Sequence, residues 1–219
     1  MKRKITALQQ QKKNPNRVNV YLDGDFAFGL SRIVSAWLEV GQEISDEKIK
    51  QLKENDVHEI ATQQAIKFIS YRPRSTEEVR KNLQKHNVDD ETIESIIQKL
   101  LNNGLLDDTQ FAKTWIENRS EFRPRGKRAL EFELKQHGIS PQIIDPLLDK
   151  LDEEKLAYKA TLKKSYKYKK SDYQTFRQKM YRHLNQRGFS YDMILTAIDQ
   201  VWDEIKTEEA PFEEEEVDI

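Results

Sequence analysis

From about residue 56 onward, the apolar positions fall in a helical rhythm that repeats. Val79, Leu83, His86, Val88, Ile93, Ile97 and Leu100 return 51 residues later as Leu130, Leu134, His137, Ile139, Ile144, Leu148 and Leu151. After another 50 residues they return as Met180, Leu184, Arg187, Phe189, Ile194, Ile198 and Val201. Any amphipathic helix holds one phase, but a phase kept across a turn in three copies marks a tandem repeat. Each copy is predicted as three helices. The middle helix ends at Asn87, Gly138 or Gly188, residue types that accept the left-handed conformation of a helix C′ site. The third helix opens behind Asp89, Ser140 or Ser190 as N-cap, with Pro141 suited to a first turn. Ser75 and Glu78 have the spacing of a capping box. A three-helix unit of this size buries little surface alone, so neighbouring units are expected to stack.

The front of the chain has a different period. Val18, Val20 and Leu22 alternate with polar residues, then Phe26, Phe28 and Leu30 do so beyond Asp23-Gly24-Asp25, which predicts a β-hairpin with one buried face. A three-residue loop would pair Leu22 with Phe26 and Val20 with Phe28, keeping the apolar sets together. Helices follow at about 31–38 and about 46–54, the second capped by Ser45. The expected fold is therefore all-α, with three tandem three-helix repeats in an elongated curved array behind a small N-terminal β-hairpin/helix module. The expected limits are 1–55 for the module, 56–106, 107–151 and 152–206 for the repeats, and 207–219 for an acidic disordered tail.

Composition supports helix: only seven Gly and six Pro interrupt 219 residues. With no Cys there is no disulfide or thiolate metal site, and no apolar run is long enough to span a membrane. Met1-Lys2-Arg3-Lys4-Ile5 lacks the apolar segment of a signal peptide, so a cytoplasmic protein is expected. The formal net charge of -1 conceals a segregation. Residues 208–218 hold seven acidic and no basic residues, leaving 37 basic against 31 acidic in the body. Residues 155–187 hold eleven basic residues against Asp172 alone. A basic arm and an acidic tail thus share one chain.

Three stretches carry a family resemblance. Phe68-Ile69-Ser70-Tyr71-Arg72-Pro73-Arg74-Ser75, followed by Glu78-Val79 and Leu83, resembles the opening motif of the RecX family. Phe122-Arg123-Pro124-Arg125-Gly126, then Leu134 and Gly138-Ile139, matches it one repeat later. Leu105-Leu106-Asp107-Asp108 with Phe111-Ala112 and Trp115 resembles the family's linker between the two. The third repeat departs from the pattern, with Lys167-Tyr168-Lys169-Lys170 where the Arg-Pro-Arg would stand. The resemblance implies a non-catalytic protein that binds in the groove of the RecA nucleoprotein filament, lowers its ATPase and strand-exchange activity, and limits filament growth.

The candidate contact residues are cationic. Pro73 and Pro124 keep the residue before them out of the helix, so Arg72, Arg74, Arg123 and Arg125 lie on tight connections. They suit forked recognition of phosphate or carboxylate, and equally suit capping and pairing within their own repeat. Lys127 and Arg128 follow the second motif. In the arm, Lys163, Lys164, Lys167, Lys169, Lys170, Arg177 and Arg182 are read as a phosphate-facing surface, since so lopsided a charge exceeds what solubility needs. Tyr158, Tyr166, Tyr168, Tyr173, Phe176 and Tyr181 could stack on bases but fit burial between repeats better. The tail is read as a solvated end, with intramolecular competition for the arm as the alternative. His58, His86, His137 and His183 are scattered, and no catalytic set, P-loop or metal spacing is present. No cofactor or metal is therefore expected. The expected partners are the RecA filament and, through weak direct contact, single-stranded DNA. A monomer free of membranes is expected.

Overall fold

The computed structural model describes residues 2–209, and the acidic tail beyond them lies outside the described residues. The chain divides into two compact units after Leu106. Among the described residues, strands occur only in the front of the first. They are β1 (Lys2–Gln10), β2 (Arg17–Leu22), β3 (Asp25–Ser31) and β4 (Glu43–Ser45), all antiparallel in the order β3-β2-β1-β4.

The hairpin is β2–β3, but its loop is not the expected one. Asp23 and Gly24 take φ of 53° and 100°, the backbone of a two-residue turn, and Leu22 pairs with Asp25. A bulge after Tyr21↔Phe26 then restores the expected Val20↔Phe28 pair, so Val20, Leu22, Phe28 and Leu30 share the buried face while Phe26 stands out in solvent. Strands β1 and β4 were not expected. A register shift between Ile5 and Ala7 breaks the alternation in β1, and β4 offers only Ile44 to the core. Helix α1 is a single turn (Arg32–Ser35), shorter than expected.

Helix α2 (Asp46–Ser70) starts on Ser45 as expected but runs through residue 54, where the helix was expected to stop, and through the expected module boundary. Its buried stripe passes through Asp56, between Leu52 and Ala61, and that carboxylate hides the continuity in the sequence. Asp56 accepts the Ser31 backbone N–H and pairs with Arg17 at 3.0 Å, tying α2 to the sheet. A buried carboxylate is tolerable only with such partners.

The repeats follow the predicted scheme. The end of α2 with α3 (Thr76–Lys85) and α4 (Asp90–Asn102) forms the first. Helices α5 (Asp108–Phe122), α6 (Lys127–Gln136) and α7 (Pro141–Asp149) form the second, and α8 (Glu153–Ser165), α9 (Tyr173–Asn185) and α10 (Tyr191–Glu209) the third. Each has its own apolar core. The triplets Val79/Leu130/Met180 and Leu83/Leu134/Leu184 are all fully buried. Asn87, Gly138 and Gly188 take φ of 58°, 77° and 78°, as the C′ reading requires. Ser75 and Glu78 form the capping box, and Asp107, Asp152 and Asp172 cap α5, α8 and α9.

Two substitutions test this account by urea unfolding of the full chain. Leu134→Ala is expected to cost roughly 2–5 kcal/mol, the range for a buried leucine that leaves a cavity. Asp56→Ala strands Arg17 and the Ser31 N–H; a cost of about 3 kcal/mol is expected, at the low end for breaking a buried pair because Arg17 keeps part of its side chain in water. A loss under ~1 kcal/mol for Asp56→Ala would mean that α2 is held to the sheet by its apolar contacts alone.

Candidate nucleic-acid interface

The two Arg-Pro-Arg connections are built alike but spend their charges differently. In the first, Arg72 forks onto Glu78 at 2.6 and 3.3 Å, and Arg74 lies 3.5 Å from the same carboxylate with its guanidinium 3.8 Å from the centre of the Phe68 ring. Glu78 also completes the α3 capping box, so both cations serve the helix start. In the second, Glu133 on α6 accepts the Arg119 Nε–H and the Trp115 indole N–H at 2.8 Å each. Arg125 Nε stands 2.7 Å from the other Glu133 oxygen, in ion-pair contact. Three of the four arginines are thus engaged within their own repeats. Arg123, exposed at the C-cap of α5, points its charge elsewhere.

Its surroundings are set by a backbone contact between repeats two and three. The Gly126 N–H donates to the Arg187 carbonyl at 2.9 Å. A Cβ on Gly126 would stand 2.3 Å from the Gly188 carbonyl oxygen, and one on Gly188 would stand 2.6 Å from the Ala129 methyl. No side chain fits at either place, so the end of α9 lies directly on the start of α6. The contact carries Arg187 to the second Arg-Pro-Arg connection, where its Nη1 is 3.4 Å from the Pro124 carbonyl and its Nε donates to His183 Nε2 at 3.0 Å.

Beside this joint is an open hollow of about 250 Å³, walled by Phe122, Arg123, Lys163, Lys164, Lys167 and Arg187, with His183 on α9. Burial, and then Arg187 and Lys164, push the His183 pKa down from 6.5 to about 4. Burial and the charges of Arg125 and Arg123 lower that of Arg187 too. At the rim, Glu121 accepts Lys159 at 2.7 Å while its carbonyl accepts Lys163 at 2.9 Å, and these lysines hold its carboxyl below the usual range. Arg123, Lys164, Lys167 and Arg187 have no carboxylate partner among the described residues.

The other candidate cations are dispersed. Lys169 and Lys170 stand exposed on the turn between α8 and α9, Arg128 on α6 and Arg182 on α9, while Lys127 is half-buried. Arg177 borders a shallow groove with Tyr173, Tyr181 and Tyr191. Most arm aromatics are structural: Phe176 is in the core, Tyr158 and Tyr168 pack against it, and Tyr158 and Tyr173 donate to Glu204 and Asp199. Tyr166 alone in this set is mostly in water, 65% exposed beside Lys167.

The sequence comparison misplaces one element. Helix α9 starts four residues earlier than its counterparts, so the positions in register with Arg-Pro-Arg are the helical Tyr173, Gln174 and Thr175, and 167–170 belong to the preceding turn. Arg187 and His183 were absent from the candidate set. The signal for Arg187 was present, since a permanent cation stands where the other copies have His86 and His137.

The chain matches four family models in order. They describe the regulatory protein RecX N-terminal domain at residues 3–45 and the first, second and third RecX three-helix domains at 61–100, 107–148 and 152–198. It is 32% identical to regulatory protein RecX of Bacillus licheniformis over 90% of this chain and 76% of that protein. With regulatory protein RecX of Clostridium botulinum (strain Alaska E43 / Type E3) the identity is 32%, over 87% of this chain and 92% of the relative. A crystal structure of regulatory protein RecX superposes with a TM-score of 0.70 at 26% identity, covering 92% of this chain and 99% of that one.

The crowding of cations has a measurable consequence for His183. A folded-state pKa of about 4 against 6.5 when unfolded means that the unfolded chain binds the extra proton between those values. The contribution of His183 to stability is therefore complete above pH 6.5 and lost as pH falls toward 4. Urea midpoints at pH 7.5 and 5 should fall more for the parent chain than for His183→Gln. Equal losses would show that the imidazole titrates normally.

Proposed function

The chain belongs to the RecX family of regulatory proteins, and from that premise we propose that it modulates the RecA recombinase by binding the RecA–single-stranded DNA filament and lowering its activity. The observation that carries this reading is the ordered match of all four domains, which makes the whole chain a family member and not a shared module. The cationic face of the third repeat supports it, since a filament exposes DNA phosphates beside protein. The action is binding without chemistry, by a cytoplasmic monomer. Long-range attraction comes from the exposed lysines and scales with their number, whereas Arg123 acts at short range through a forked donor.

A second reading has its own support. Cations that no carboxylate neutralises would also serve a stand-alone nucleic-acid-binding protein, which would hold bare single strands without RecA, with a steep loss of affinity in salt. The two separate in one experiment, RecA ATPase on single-stranded DNA titrated with this protein. Inhibition at stoichiometric ratios is expected. An unchanged rate with tight binding to bare strands would favour the second reading.

Variants resolve the surface. Lys163, Lys164, Lys167, Lys169 and Lys170 reversed together to Glu should abolish inhibition at low salt while circular dichroism stays unchanged. Arg123→Ala should weaken it by roughly ten- to a hundredfold, the loss of a charge-assisted hydrogen bond worth roughly 1.5–3 kcal/mol, and that loss should persist at high salt. Arg125→Ala belongs in a different class, because it releases Glu133 and is expected to lower stability. Full inhibition by the folded five-lysine variant would remove the third repeat as the contact surface.

A further inference from the structure

The hollow at the joint of repeats two and three has properties that an ordinary basic surface does not need. A solvated cationic face spreads its charges apart, in water or on nearby carboxylates. Here Arg123, Lys164, Lys167 and Arg187 converge on about 250 Å³ of concave space from three places: the α5–α6 connection, helix α8 with the turn after it, and the end of α9. Two carboxylates on the flanking helices α5 and α6 are already engaged, Glu121 with Lys159 and Glu133 with Arg119 and Arg125. The half-buried pair at the back is arranged against its own charge. Arg187 donates to His183 Nε2, a bond that only a neutral imidazole can accept, and both groups are destabilised in their charged forms by burial first and then by the cations around them. Among the described residues, folding has placed these like charges together with no carboxylate paired to Arg123, Lys164, Lys167 or Arg187.

We propose that this hollow is a binding site for one phosphate group, held by Arg123, Lys164, Lys167 and Arg187 with Lys163 at the rim. A tetrahedral oxyanion offers several strong acceptors to donors converging from different sides, and arginine forks match its edges. The phosphate comes from a nucleic-acid backbone or from a free phosphate compound, since the hollow recognises the group itself. The site deepens the reading of the basic arm as the working surface; the phosphate assignment does not require RecA, so the two can fail separately.

His183 provides the readout. Burial is the first cause of the neutral imidazole and repulsion from Arg187 and Lys164 adds to it; an oxyanion beside those cations cancels the repulsive part, so occupancy should raise the His183 pKa above its unliganded value of about 4. The groups facing it are Arg187 from its own helix, Lys163 and Lys164 from α8, Lys167 from the following turn and Arg123 from the α5–α6 connection. The experiment is NMR of the full chain labelled at histidine, titrated at low salt with inorganic phosphate and, separately, with an oligo-dT strand. A saturable His183 shift and a raised pKa are expected with at least one of them. A response to both assigns the phosphate group itself, to oligo-dT alone a backbone phosphodiester, and to inorganic phosphate alone a free phosphate. Lys164→Gln with Lys167→Gln should weaken the responding ligand about tenfold and, for oligo-dT, flatten the salt dependence of log K by roughly 0.7 for each phosphate that is no longer neutralised. Lys169→Gln with Lys170→Gln, outside the hollow, should lower oligo-dT affinity less than the hollow pair does and leave the His183 pKa shift at saturation in place. The proposal is overturned if neither ligand moves His183, or if both lysine pairs weaken binding equally, which would mean diffuse surface charge and no site.

Discussion

The cationic surface depends on a contact made without side chains. Gly126 and Gly188 let the opening of α6 and the exit of α9 meet at backbone distance, sealed by the Gly126 N–H on the Arg187 carbonyl. Any Cβ at Gly126 would sit 2.3 Å from a carbonyl oxygen, so a larger residue would force the two repeats apart. Because Arg187 is the residue before Gly188, the contact fixes where its guanidinium goes, against the Pro124 carbonyl and beside Arg123. The same packing brings α8 alongside the end of α5, where Lys159 and Lys163 fasten on Glu121. One close approach therefore turns cations from distant parts of the sequence into neighbours.

That arrangement separates two uses of arginine that look identical in sequence. Where a carboxylate lies on the following helix, as Glu78 and Glu133 do, the connection's arginines close onto it and stiffen the helix start. Where the arginine has no carboxylate partner among the described residues, as for Arg123, the charge remains available. The same motif is thus structural in the first repeat and divided in the second. In the third repeat α9 begins a turn early on Asp172, and lysines of the preceding turn supply the charge instead. Net charge alone does not distinguish these cases; the positions of the carboxylates do.

Much of the fold was legible because its signals are local. The C′ residues Asn87, Gly138 and Gly188, the Ser75–Glu78 box and the buried triplets follow from spacing alone. What escaped depends on long-range partners. Asp56 broke the apolar stripe of α2 because its satisfaction comes from Arg17, 39 residues away. Strand β1 has too little alternation to read, and exists because β2 and β4 pair with it on both sides. The hairpin loop was misjudged because a bulge achieves the facing of side chains that a longer loop would have given. For the site, the basic arm was visible as composition, but not which of its members converge. His183 looked like one scattered histidine and became informative only beside Arg187 and Lys164.

In the proposed function, the face built around the joint of repeats two and three meets the filament. A photo-crosslinking residue placed at Lys167, on the hollow, and another at Lys50, exposed on α2, would compare that face with the front of the chain on RecA assembled on single-stranded DNA. Crosslinks to RecA or DNA are expected from Lys167, lost when DNA is omitted and the filament does not form, and few from Lys50. Efficient crosslinking from Lys50 with none from Lys167, in a protein that still inhibits RecA, would contradict that placement.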